Sequence, residues 1–344
     1  MKTIFDPVIL PHLSLKNRLI RSATWENMAD SDGSIPDALI RTYQELAAGG
    51  IGAIITGFTS VSSNDHYFGG MMRLSSDALI PQYTRLVEAV KAQGSAIITQ
   101  LALGACFKPD STGTFSPAEP DELSLDDLQD IKALFVQAAI RAQKAGFDGV
   151  QIHAAHNFFL SRFISPAYNY RTDAYGGSLQ KRNKLLIEIY QAIRAAAANL
   201  HISMKINCSD FIPDGLTPAE SLLICQELAK QGIDSIEVSG NSTSRPQIQP
   251  HVNEAYFRSF AEKLAAGINT PVILVGGHRS IESMNDLLNQ TSIELLSLSR
   301  PLIREPNLPN RWKSGNIRPA ACISCNACYK TPGHKCIFVL RGLQ

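Results

Sequence analysis

Two histidines, His153 and His156, mark the part of this 344-residue sequence where chemistry is most strongly indicated. An apolar run ends at the first histidine, and the second follows three residues later. Side chains alternate along a strand, so Gln151 and His153 share one face while Val150 and Ile152 point the other way. Both imidazoles can therefore face one ligand, and we predict that His153 and His156 are catalytic.

Three roles fit such a pair: hydrogen bonding to a substrate, metal binding, or a structural place in the core. A zinc site needs a third ligand, and the sequence offers no obvious carboxylate partner near the two histidines. An imidazole, neutral or protonated, can donate a hydrogen bond to an oxygen that gains charge. We expect the substrate-binding role and no metal.

Eight short apolar runs alternate with helical segments, which indicates a parallel sheet because parallel neighbours need crossover connections. The predicted strands are 18–24, 53–60, 96–101, 149–153, 203–207, 235–239, 272–275 and 293–299. The predicted helices include 125–145 and 179–198. Eight units predict an α/β fold, a single (β/α)8 TIM barrel. We expect one domain over residues 1–344, with the barrel at about 15–310 and a short cysteine-containing extension at about 311–344.

Residues at several predicted strand ends suit a flat cofactor that carries one phosphate. Lys205 lies between Met204 and Ile206, and a buried lysine needs an anion or an electron-rich partner, whereas an exposed strand lysine needs neither. The other candidates are Ala23, Thr24, Gly57 and Gln100 for a ring, and Gly276, Gly277, Ser299 and Arg300 for a phosphate. Ordinary turns and packing are the alternatives for these residues. No G-x-G-x-x-G unit follows a strand, so no Rossmann domain is indicated.

The segment 153–182, HAAHNFFLSRFISPAYNYRTDAYGGSLQKR, resembles the His-x-x-His…SP-x-x-N-x-R-T-D-x-Y-G-G segment of the old yellow enzymes. These are FMN-dependent ene-reductases and NAD(P)H:flavin oxidoreductases. The resemblance extends to LKNRLIRSAT, ITQL, MKINCSD and VGG…LSRPLIREP, and so covers nearly the whole chain. It implies a TIM barrel that binds FMN and takes NAD(P)H as its reductant.

The resemblance also implies roles for the candidates. The histidine pair would hold a carbonyl or nitro oxygen, so that hydride adds to the β-carbon of a conjugated double bond. Lys205 would meet the flavin N1 and O2 edge, and Gln100 the pyrimidine. Ala23, Thr24 and Gly57 would lie beside the ring, and Gly276, Gly277, Ser299 and Arg300 near the phosphate.

One position departs from the family. The old yellow enzymes usually carry a proton-donating tyrosine two residues after the second histidine, and this chain has Phe158 there. The proton for an enone would then come from water or from Tyr67, Tyr168 or Tyr256. The preferred function is hydride transfer from NAD(P)H through FMN to an activated alkene, and Phe158 lends weight to an NAD(P)H oxidase, quinone reductase or flavin reductase. From another class, a zinc-dependent barrel hydrolase or a non-catalytic FMN-binding protein stays open.

Four of the seven cysteines lie close together near the C-terminal end, at Cys322, Cys325, Cys328 and Cys336. The spacing C-x2-C-x2-C-x7-C is compatible with zinc, with an iron–sulfur cluster, or with reduced structural thiols. Longer relatives bind a [4Fe–4S] cluster with C-x2-C-x3-C and a more distant fourth cysteine. Because this chain has one residue fewer between the second and third cysteines, we predict reduced thiols.

Composition points to a small-molecule partner. A net charge of +1, with 18% charged and 44% hydrophobic residues, provides no field for nucleic acid or an anionic membrane. No apolar run approaches the ~20 residues that cross a bilayer. An odd, scattered set of cysteines is typical of a reducing compartment. We expect a cytoplasmic homo-oligomer.

Overall fold

The computed structural model describes residues 1–109, 115–241 and 243–343, with only the backbone of Phe115. The strands are β1 (Val8–Leu10), β2 (Leu13–Leu15), β3 (Leu19–Arg21), β4 (Ala53–Ser60), β5 (Met72–Arg73), β6 (Ala96–Ala102), β7 (Cys106–Pro109), β8 (Phe115–Ala118), β9 (Gly149–Ala154), β10 (His201–Asn207), β11 (Ser235–Ser239), β12 (Val272–Val275) and β13 (Leu295–Leu298). The helices are α1 (Asp37–Ala48), α2 (Ile80–Lys91), α3 (Leu125–Ala145), α4 (Phe159–Ile164), α5 (Leu179–Ala196), α6 (Pro218–Lys230), α7 (Arg258–Gly267), α8 (Ile281–Gln290), α9 (Arg300–Arg304), α10 (Leu308–Lys313) and α11 (Ile337–Leu340).

Eight parallel strands close into a barrel in the order β3, β4, β6, β9, β10, β11, β12, β13. Closure is shown by β3, which pairs with β13 on one side and with β4 on the other. The predicted α/β TIM barrel is therefore confirmed. The short strand β5 pairs with the end of β4, and the antiparallel pair β7–β8 projects from the loop after β6.

The two ends of the barrel differ in character. The antiparallel hairpin of β1 and β2 supplies Val8, Leu10, Leu13 and Leu15 to an apolar cluster that also contains Ile55, Ile98 and Ile273 from the barrel strands. This cluster fills the amino-terminal end of the barrel. Polar side chains instead occupy the carboxyl end, where barrel enzymes carry their chemistry.

Local sequence signals account for the ends of several helices. In α3, Ser124 Oγ accepts a hydrogen bond from the backbone N–H of Asp127 at 3.1 Å, and Gly146 ends the helix at φ +87°. The helix matches the predicted 125–145 because both a cap and a left-handed glycine define it. Helix α5 ends at Ala196, two residues before the predicted end.

Two predicted strands, 18–24 and 293–299, are shorter in the structure, at Leu19–Arg21 and Leu295–Leu298. The backbone N–H of Ser22 still donates to Leu298 O at 2.9 Å, but residues 22–24 then leave the sheet and line a cavity. Residues 104–123 lie between β6 and α3 in the sequence. The structure has the β7–β8 hairpin there, while residues 110–114 lie outside the described residues. None of the described helices is long and apolar enough to span a membrane.

Candidate active site

A cavity of about 370 Å³ opens at the carboxyl ends of the barrel strands. It collects most of the site residues predicted from the sequence. Those that line it are His153, His156, Ala23, Thr24, Gln100, Lys205, Gly277, Ser299 and Arg300. Gly57 and Gly276 are not among the residues that line it, and their cofactor-binding role stays a prediction.

The two histidines face each other with ring centroids 5.1 Å apart. His153 belongs to β9, whereas His156 and Asn157 adopt left-handed conformations at φ +63° and +65°. These two residues turn the chain back, so that His156 returns to the cavity that His153 already faces. The turn is held by the backbone N–H of His156, which donates to Asn207 Oδ1 at 3.0 Å.

Both imidazoles are neutral near neutral pH. Burial, followed by the charge of Lys205, lowers the pKa of His156 to about 3. Burial, then His156 and Lys205, lowers the pKa of His153 well below its ordinary value. Ser239 Oγ lies 2.7 Å from His156 Nε2, and among the described residues His153 Nδ1 is buried with no hydrogen-bond partner. A neutral imidazole has one N–H, so His153 can donate one hydrogen bond to a ligand oxygen, and His156 can do so from Nδ1 when the Ser239 hydroxyl donates to its Nε2.

Lys205 is buried, with 2% of its surface exposed, which decides against an exposed strand lysine. Its ammonium lies 2.9 Å from Glu237 Oε1 and 2.9 Å from Ser22 Oγ. Glu237, on β11, was not predicted as a site residue. Its position in the sequence carried no local signal, because it reaches Lys205 only through strand pairing between β10 and β11.

Gln100 is the end of a chain of amides that begins at Glu237. Gln151 Nε2 donates to Glu237 Oε2 at 2.8 Å, and Gln100 Nε2 donates to Gln151 Oε1 at 2.8 Å. A carboxylate only accepts hydrogen bonds, so it sets the direction of both amides. Gln100 is thereby left with its carbonyl oxygen available to accept from a donor in the cavity.

The loops after β12 and β13 bring cationic groups to the cavity. Arg300 Nη1 donates to Asn326 Oδ1 at 2.6 Å, and Ser299 Oγ lies 2.8 Å from Thr24 Oγ1. Arg279 also lines the cavity, and the sequence analysis missed it. The GGHR run that places a basic residue two positions after Gly277 was the signal that could have identified it.

Gly57 and Gly276 allow neighbouring residues to pack closely against the backbone. A Cβ on Gly57 would lie 2.4 Å from the carbonyl oxygen of Thr24, and its backbone N–H already donates to Tyr43 Oη at 2.8 Å. Gly276 adopts φ +132°, and a Cβ there would approach the Tyr256 ring to 3.1 Å. Each glycine lets a neighbouring residue come close.

Aromatic rings form another wall of the cavity, and among the residues of this wall Tyr67 and Phe158 were named from the sequence. Trp25 packs on Phe68 at 4.5 Å between ring centroids, and Phe58 packs on Phe158 at 5.0 Å. Tyr67 meets Phe158 edge-on at 5.3 Å. The wall is aromatic and largely apolar, which suits a conjugated ligand.

The three tyrosines named as candidate proton donors differ in whether they line the cavity. Tyr67 and Tyr256 line the cavity. Tyr168 does not line it, and its ring instead packs under the guanidinium of Arg162 at 4.2 Å. Tyr329, from the C-terminal extension, lines the cavity too and was not anticipated.

Comparisons with known proteins agree with this geometry. The model of the NADH:flavin oxidoreductase / NADH oxidase family matches residues 3–318. The chain belongs to this family. Its members include the old yellow enzymes, and the resemblance seen in the sequence is confirmed, together with FMN as the cofactor and NAD(P)H as the reductant.

Three similar proteins show the range of this flavin oxidoreductase family. A metal reductase of Desulforamulus reducens is 32% identical over 345 residues, covering 95% of this chain and 51% of the relative, so the chain spans about half of that protein's length. An NADPH dehydrogenase of Bacillus subtilis is 30% identical, covering 89% of this chain and 92% of the relative. The structure of an old yellow enzyme homologue from Zymomonas mobilis superimposes with a TM-score of 0.76 at 20% identity, covering 94% and 96% of the two chains, which supports the fold.

The residues present fit FMN. Lys205 supplies a cation and Gln100 an acceptor on one side of the cavity, and Arg279 and Arg300 supply cations after β12 and β13. A flavin ring gains negative charge on reduction, and the cation of Lys205 would stabilise that charge. The two arginines would bind a single phosphate. This pattern of charges matches the two ends of the cofactor.

The four clustered cysteines line a separate cavity of about 20 Å³, shared with Arg300 and Arg304. That volume corresponds to about one water molecule. Across residues 1–109, 115–241 and 243–343, no group of three or more histidines, cysteines or acidic residues is arranged to hold a metal ion. In this arrangement the four thiols do not fit an iron–sulfur cluster, and they take no part in the proposed reaction.

Proposed function

We propose that this chain reduces an activated alkene, such as an enone, with NAD(P)H and bound FMN. When bound, FMN would supply the hydride transfer that links the nicotinamide to the acceptor. The observation that carries the proposal is the pair of neutral histidines that face the same cavity as the buried cation Lys205.

Each side chain of the site has a separate role in the proposed reaction. His153 and His156 donate hydrogen bonds to the acceptor oxygen, where negative charge develops as the β-carbon is reduced. Ser239 holds His156 Nε2 at 2.7 Å and so fixes the orientation of that ring. Lys205 would hold the flavin N1 and O2 edge, Ala23 and Thr24 would flank the ring, and Gly277, Ser299, Arg279 and Arg300 would hold the phosphate. Gly57 and Gly276 shape the site through packing.

A second candidate function rests on Phe158. An apolar ring occupies the place of a proton donor. Acceptors that need no protonation at carbon, such as quinones or flavins, therefore have a lower activation barrier to reduction in this site. A quinone or flavin reductase on the same site is therefore the alternative to an enone reductase.

The decisive experiment is anaerobic reduction of the purified FMN-loaded protein by NADH or NADPH, followed by a panel of enones and quinones. Reoxidation of the flavin is followed by absorbance. His153→Ala and His156→Ala should keep FMN and lose ~2.7–4 kcal/mol of transition-state stabilisation with enones, the cost of one lost oxyanion donor. His12→Ala, remote at the β1–β2 hairpin, is the matched control. An alanine variant of either site histidine with full enone activity would contradict the proposal.

We also propose that the chain acts as one FMN-binding domain and assembles into a homo-oligomer in the cytoplasm, where it meets small molecules. Seven free cysteines support a reducing compartment, and the net charge of +1 supports a small-molecule partner. Light scattering of the FMN-loaded protein gives its mass in solution, and a monomeric mass at micromolar concentration would contradict the assembly.

A further inference from the structure

Glu237 lies at the centre of the polar network beneath the cavity, and the proposed function gives it no role. Its carboxylate has no exposed surface. It receives hydrogen bonds from Ser22 Oγ at 2.8 Å, Ser297 Oγ at 2.6 Å and Gln151 Nε2 at 2.8 Å, besides the ion pair with Lys205 at 2.9 Å. Four partners surround this one buried carboxylate and stabilise its negative charge.

The carboxylate is ionised. Burial by itself raises its pKa, but Lys205 and the hydrogen bonds from Ser297 and Ser22 outweigh burial and hold the pKa of Glu237 below its ordinary value. The two serines donate to Glu237 without carrying charge, so Lys205 is the cation that this anion compensates.

Lys205 in turn depends on Glu237. The ammonium is buried and its two polar contacts are Glu237 and the hydroxyl of Ser22. A buried amine without an anionic neighbour tends to lose its proton, because its charged form is poorly solvated. Before the flavin ring carries any negative charge, Glu237 is the anion in contact with this amine.

We propose that Glu237 is a positioning residue that keeps Lys205 protonated before the flavin is reduced. Reduction of bound FMN then takes up two electrons and one proton, all delivered together as hydride from NAD(P)H, and needs no additional proton at Lys205. Without the carboxylate, Lys205 would be neutral beside the oxidised flavin and would take a second proton from solvent on reduction. This inference rests on the proposed placement of the flavin N1 and O2 edge at Lys205.

The test is the pH dependence of the midpoint potential of the FMN-loaded protein, measured by spectroelectrochemical titration. Each proton coupled to a two-electron reduction shifts the potential by about 30 mV per tenfold change in proton concentration. On the alkaline side of neutrality, we expect the unmodified protein to take up one proton. Glu237→Gln should take up two, which doubles the slope.

Two further variants make the result specific. Glu294→Gln is the matched control, since it removes a carboxylate from an ion pair with Lys2 and Arg18 at the opposite end of the barrel, and it should keep the one-proton slope. The double variant Lys205→Arg, Glu237→Gln should restore the one-proton slope, because a guanidinium does not lose its proton.

An unchanged slope in Glu237→Gln would overturn the inference, and so would a two-proton slope in the unmodified protein. The second measurement needs no variant, so the inference stays testable even where Glu237→Gln fails to fold. A purified protein that retains FMN and reduces enones, yet shows either of these slopes, would refute the role of Glu237 and leave the proposed function intact. A protein that binds no FMN would refute the proposed function first.

Discussion

At the scale of single residues, we expect Phe158 to influence which acceptors the site can serve. Its ring packs between Phe58 and Tyr67, where the family usually places a phenol. Phe158→Tyr should therefore raise enone turnover, since general-acid catalysis typically contributes ~10²–10⁴-fold. Quinone turnover should change little. Steady-state rates with both acceptors provide the measurement, and an efficient, stereospecific enone reductase that gains nothing from the new hydroxyl would show that another donor already acts.

The charge of Lys205 is the second property at this scale. Lys205→Met keeps an unbranched side chain up to Cε and removes the cationic Nζ, so FMN should be retained less well and its reduction by NAD(P)H should slow by on the order of tenfold or more. Stopped-flow reduction and flavin retention on a desalting column measure the two effects. If both match the unmodified protein, Lys205 does not contact the flavin.

At the scale of elements, the C-terminal extension forms part of the phosphate end of the site. Asn326 accepts from Arg300 at 2.6 Å and donates to the carbonyl oxygen of Ser244 at 2.9 Å. Arg279 Nη2 donates to Ser324 Oγ at 2.6 Å. The extension thus holds both arginines in place, which no periodic pattern in the sequence indicated.

Asn326→Ala should weaken FMN binding, because Arg300 would lose the nearer of two hydrogen-bond partners, Asn326 Oδ1 at 2.6 Å, and keep only the longer contact to Ser244 O at 3.3 Å. Hydrogen bonds to charged groups contribute ~1.5–3 kcal/mol, so the Kd for FMN should rise on the order of tenfold or more. Fluorescence quenching of FMN titrated with apoprotein measures the change. Asn316→Ala, which removes contacts to Arg311 and Arg318 in the same extension, is the control and should leave the Kd unchanged.

At the scale of the whole molecule, buried neutral histidines make stability depend on pH. Burial is the first cause of a lowered pKa at four of them: to about 3 at His156, to about 4 at His278, and lower than usual at His153 and His201. Unfolded histidines bind protons near pH ~6.5. Below that pH the unfolded chain binds more protons than the folded one, so the free energy of unfolding falls as the pH falls.

The Tm should accordingly decrease from about pH 6.5 to about pH 5, above the range in which ordinary carboxylates take up protons. Differential scanning calorimetry across this range gives the trend, and His278→Gln should flatten it in part. His12→Ala is the control, because that side chain is 42% exposed. A Tm that stays constant or rises on acidification would contradict the burial of these groups as neutral bases.

Much of the architecture follows from local sequence. Alternating apolar runs, the Ser124 cap and the left-handed Gly146 predict strands and helices, and eight repeats predict the barrel. His153, Gln100 and Lys205 could be assigned because each lies in or at the end of a strand, and in a parallel barrel those ends converge. These features depend on residues a few positions apart, so the sequence alone determines them.

Only the tertiary structure decided which side chains contact each other in the site. Glu237 meets Gln151 across 86 positions and Ser22 across 215, and Tyr329 reaches the cavity from the extension. The ring contact of Gly57 stays a prediction, and the structure adds that a Cβ at this position would lie 2.4 Å from the carbonyl oxygen of Thr24. Periodicity encodes which face of a strand is buried, but it does not encode which side chain lies opposite, because barrel closure juxtaposes residues that have no local relation in the chain.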